Sequence, residues 1–157
     1  MDDFILKDEN KKLFLQLQPQ FVEEEKLKLF YKRVEFLLEN TLDEINDIKK
    51  DGFLDEFKDI NPQKWFSFIS KIVVHIENIK KLTSGEEKLE LLLAFVSVII
   101  INLLPISNEM KILLVNKLTE FIPEIVDSLI LVSKKMHRFS LNIFKKLKSK
   151  CKCSCFS

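Results

Sequence analysis

Residues 91–104 read Leu-Leu-Leu-Ala-Phe-Val-Ser-Val-Ile-Ile-Ile-Asn-Leu-Leu, and Pro105 follows. The run carries no charge, and only Ser97 and Asn102 interrupt its apolar character. A membrane-spanning helix needs about 20 apolar residues, more than this run supplies. A helix that is apolar on every side has no face to give to water, so it belongs inside a bundle. The expectation is a central buried helix over residues 85–104, ended by the proline. The competing reading is a membrane-inserted hairpin made with the helix that follows.

Such a helix needs neighbours with one apolar face each, and the flanking sequence supplies them. Over residues 20–50, Leu27, Phe30, Val34, Leu37, Leu38, Thr41, Ile45 and Ile48 keep the i, i+3, i+4, i+7 spacing of one buried face. Glu24 and Lys28 form an i,i+4 pair on the wet side, and Asp51-Gly52 supplies a stop. Residues 4–18 read as a short helix or irregular lead-in that ends at Pro19, and residues 53–60 as one or two helical turns. Asn61-Pro62 has the form of an N-cap followed by proline at the first helical position. The helix from there to about residue 82 is expected to bury Trp65, Phe66, Ile69, Ile72, Val73 and Ile76.

Ser84 and Glu87 have capping-box spacing at the start of the central helix. Ser107 is placed to cap a helix over 108–121, with Ile112, Leu113, Val115 and Leu118 available for burial. Pro123 then either kinks that helix or starts a new one that runs to about 139 through Ile125, Leu129, Val132 and Met136. A last helix over 141–150 is separate or continuous with it. Only two glycines and four prolines are present, too few for the turns of a sandwich or barrel. The expected fold is all-α, a compact bundle of about six helices over residues 1–133, with a distinct tail over 134–157.

That tail carries Lys134, Lys135, Arg138, Lys145, Lys146, Lys148, Lys150 and Lys152 and no acid, a charge of +8. The rest of the chain sums to −7, so the net +1 conceals an acidic body and a basic end. This asymmetry points to an anionic partner. Met136, Phe139, Ile143, Phe144 and Leu147 share one side of a helical projection, with basic residues on or beside the other. A basic amphipathic helix of this kind lies in a membrane interface. In that reading Phe139, Phe144 and Leu147 insert, and Lys145, Lys146, Lys148 and Lys150 meet headgroups. All three cysteines, Cys151, Cys153 and Cys155, follow directly and are candidates for S-acylation.

Three other readings of the tail stay open. It is a solvated basic end with incidental cysteines, a thiolate metal site with His137 as the nearest fourth ligand, or a nucleic-acid contact. Structural zinc sites space their cysteines more widely than C-x-C-x-C. No recognition-helix or RNA-binding motif accompanies the charge.

Other anchors are not expected. Asp2 stands where N-myristoylation requires glycine, and Ser154 where a prenylation box requires cysteine. Met1-Asp2-Asp3-Phe4 lacks the basic and apolar regions of a signal peptide. The body has no cysteine, which suits a reducing compartment. The expected location is cytoplasmic and membrane-associated.

Catalytic signatures are lacking as well. H-E-x-x-H, G-x-S-x-G, a phosphate loop and an EF-hand loop are all missing. His75, within Ile72-Val73-Val74-His75-Ile76, reads as a partly buried, hydrogen-bonded core residue. Trp65 and the fourteen phenylalanines read as core. No enzyme activity, cofactor, metal or small-molecule substrate is expected. An unidentified protein partner is.

The stretch Gly-Glu-Glu-Lys at 85–88, the apolar helix, then Ile122-Pro123-Glu124-Ile125-Val126-Asp127-Ser128-Leu129-Ile130-Leu131-Val132-Ser133-Lys134 and the Lys-rich, Cys-containing end form one pattern. It resembles small uncharacterised helical proteins of nucleocytoplasmic large DNA viruses, the mimivirus-like and algal viruses, over residues 83–157. The resemblance implies a small viral helical protein with a tail, and a host-cytoplasmic or virion location. It implies no catalytic residue. A central apolar helix wrapped by amphipathic ones is also similar to the Bcl-type apoptosis-regulator fold. That likeness implies a groove for an amphipathic helix, although with glycines only at 52 and 85 the fold's Gly-Arg signature is missing.

Overall fold

The computed structural model describes the backbone of residues 6–50, 61–82 and 84–151, with side chains described through residue 130 apart from 48–50. Among these described residues six α-helices follow in order: α1 Asp8–Leu17, α2 Glu24–Asn40, α3 Leu42–Lys50, α4 Pro62–Glu77, α5 Gly85–Leu103 and α6 Asn108–Cys151. A 3-10 turn, Pro19–Val22, joins α1 to α2. Among the described residues there is no strand, and the molecule is the expected helical bundle.

Its centre is α5. Every residue from 94 to 101 is buried, more than two full turns, so all sides of the helix are covered. Helices α1, α4 and α6 pack around it. The two polar residues of the run are where the N-terminal segment docks. Gln18 is buried, and its Nε2 donates to Ser97 Oγ at 3.1 Å, while Ser97 Oγ donates to the Leu93 carbonyl at 2.8 Å. Gln20 Nε2 donates to Gln18 Oε1 at 2.8 Å. Asn10 Nδ2 donates to Asn102 Oδ1 at 3.0 Å. Early residues of α1 thus meet late residues of α5, and the two helices run antiparallel. Pro19 ends α1, and the turn it opens brings Phe21 against Phe14 and Phe30, with centroids 5.8 and 4.6 Å away. Phe14 stacks on Phe30 at 5.2 Å. This aromatic trio ties α1, the turn and α2 together.

The expected face of α2 is the buried one: Leu27, Phe30, Val34, Leu37, Leu38, Thr41 and Ile45 are all buried, while the Ile48 side chain lies outside the described residues. The single helix expected over 20–50 is instead two. The chain breaks at Thr41, whose φ of −125° and ψ of 23° are not helical. Its hydroxyl donates to the Leu37 carbonyl at 2.6 Å, and its N–H to the Leu38 carbonyl at 3.3 Å, which closes the last turn of α2. Glu24 and Lys28 pair at 2.8 Å as expected. The Asp51-Gly52 stop and the turns expected over 53–60 fall outside the described residues.

Three N-caps form as read. Asn61 Oδ1 accepts from Lys64 N at 3.3 Å, Ser84 Oγ from Glu87 N at 3.5 Å, and Ser107 Oγ from Met110 N at 3.3 Å. Two burial expectations are corrected. On α4, Phe66 is 42% exposed and Phe68 takes its place in the core, edge-on to Trp65 at 5.9 Å. On α6, Leu113 is 47% exposed and Leu114 is buried instead. Pro123 does not end its helix: α6 is continuous from Asn108 to Cys151, and Ile122 and Ile125 on either side of the proline are buried. Their packing outweighs the roughly 3 kcal/mol an interior proline costs.

The end of α5 shows how the chain handles its other proline. Ile101 would receive the N–H of residue 105, but Pro105 has none. Lys111, from the first turn of α6, donates its Nζ to the Ile101 carbonyl at 2.7 Å instead. An ammonium at a helix C-terminus also suits the helix dipole. Burial lowers the Lys111 pKa from its ordinary value. The folded chain therefore releases this proton before the unfolded chain does. In the alkaline window just below the ordinary lysine pKa the unfolded state holds more protons, and stability rises with pH. Lys111→Met is expected to cost about 1–2 kcal/mol at neutral pH in urea denaturation. The variant should also lose that alkaline rise relative to wild type. A cost near zero would show that Lys111 does not replace the missing proline donor.

Candidate functional site

Helices α4 and α6 both reach α5 through short connections, so each runs antiparallel to α5 and the two are parallel to each other. They come level at one end of the bundle. There Val73 and Ile76 of α4, Leu89 and Leu92 of α5, and Val126 and Ile130 of α6 line an apolar recess of ≈ 90 Å³. The Lys88 ammonium pairs with the Glu77 carboxylate at its edge at 2.7 Å, joining α4 to α5 across their connecting turn. This pair is 11 residues apart in sequence, outside helical spacing, so pattern reading does not find it. The recess is far smaller than the 300–1,000 Å³ of a typical small-molecule site.

At Ile130, α6 has drawn level with the first turn of α5 and the last turn of α4. The helix then continues over residues 131–151, roughly 30 Å at 1.5 Å per residue, with no further length of either helix to lie along. This continuation contains most of the residues singled out in the sequence. Positions 139, 144, 145, 146, 147, 148 and 150 lie on its helical backbone, and Cys151 is its last residue. The side chains of Phe139, Phe144, Leu147, Lys145, Lys146, Lys148 and Lys150 lie outside the described residues, as do Cys153 and Cys155 altogether. The backbone has the helical form that the amphipathic projection requires.

His75 stands on α4, half-buried between exposed Val74 and buried Ile76, and its carbonyl accepts from Asn78 N at 3.1 Å. Among the described residues no group of three or more His, Cys, Asp or Glu side chains could hold a metal ion. Among the same residues no helix is long and apolar enough to cross a membrane. The chain matches no protein-family model, no curated protein and no solved structure.

Gly85 opens α5 beside the recess, and a Cβ added there would meet nothing within 4 Å. Glycine costs conformational entropy at a helical position where no close approach requires it. Gly85→Ala is expected to stabilise the protein by about 0.4–1 kcal/mol in urea denaturation. A destabilised variant would mean that the start of α5 is packed more tightly than this geometry has it.

Proposed function

We propose that this chain is a non-enzymatic interaction protein held peripherally on an anionic membrane by residues 134–157. One observation carries the reading: α6 is a single helical backbone from its buried residues Ile122 and Ile125 to Cys151. The basic segment thus continues the helical backbone of the core, which supports a tail carried by the body. Each basic residue near an anionic leaflet contributes on the order of 1 kcal/mol, reduced by salt. An acyl chain on Cys151, Cys153 or Cys155 adds about 0.8 kcal/mol per buried CH₂, and one chain with a polybasic patch suffices for stable attachment. The resemblance to large-DNA-virus proteins makes a virion or virus-factory membrane the setting, on a cytoplasmic face.

The body then serves as the surface for a protein partner. A Bcl-type reading needs a groove that takes a whole amphipathic helix. The ≈ 90 Å³ recess between α4, α5 and α6 has room for about one side chain and is not itself such a groove.

Fractionation of cells expressing three forms tests the reading. They are the full chain, a Cys151→Ser/Cys153→Ser/Cys155→Ser variant, and a truncation after Ser133, which keeps every described core residue of α6. The full chain is expected with membranes, and both altered forms in the soluble fraction. If all three stay soluble the tail is no anchor. If all three sediment with membranes, the body itself binds, and the tail reading fails.

A further inference from the structure

We draw no further inference here: the strongest candidate, the apolar recess of ≈ 90 Å³ between α4, α5 and α6 with half-exposed Ile130 at its edge, has room for a single side chain, and nothing in the structure shows what covers it.

Discussion

Helix α5 has no wet face, and the rest of the bundle follows from that. Ten of its residues are buried, eight of them consecutive, and no surface helix can be built from such a run. Burying one aliphatic side chain contributes about 1.5–3 kcal/mol, so leaving even one side of α5 open would cost several such increments. The chain therefore has to place helices on every side. Helices α1, α4 and α6 do so, each offering one apolar stripe. The polar atoms that interrupt the run become attachment points: Ser97 receives Gln18 and Asn102 receives Asn10. Because a buried donor or acceptor without a partner costs about 1–3 kcal/mol, these pairs also fix how α1 lies on α5, although the Asn102 Nδ2 remains buried without a partner.

Much of this could be read from the residues alone, because helical periodicity and capping chemistry are local. The buried face of α2 and the caps at Asn61, Ser84 and Ser107 needed nothing but spacing and residue type. Where two neighbouring residues were both apolar, spacing could not choose between them. Phe66 and Phe68 are chemically identical, and the aromatic contact with Trp65 selects Phe68. Leu113 and Leu114 present the same ambiguity, resolved by which of them faces the core. The break at Thr41 was hidden for a related reason: threonine fits the buried face, and the apolar spacing runs through it unchanged into Ile45. At Pro123 residue type left a kink and a new helix start both open. The proline's local cost is real, but Ile122 and Ile125 are buried on either side of it and the helix runs through.

That outcome bears on the candidate site. If a new helix started at Pro123 or at 141, the basic segment would be an appendage, and its apolar positions would have no relation to the core. Once α6 is one helix, positions 132, 136, 139 and 143 become the continuation of the face that packs on α5. Composition alone revealed the charge and the cysteines of this segment. Its register relative to the body needed the unbroken backbone. The link between Lys111 and Ile101 was equally invisible beforehand, since it joins two helices across a turn to replace a donor that Pro105 lacks.

Amide hydrogen exchange on the full chain, in buffer without lipid, tests the central claim that α5 is the closed interior of the bundle. The slowest amides should be those of residues 94–101, opening only with global unfolding. Fast exchange across that run, slowed only when lipid vesicles are added, would make α5 a membrane element and contradict the bundle as its natural surroundings.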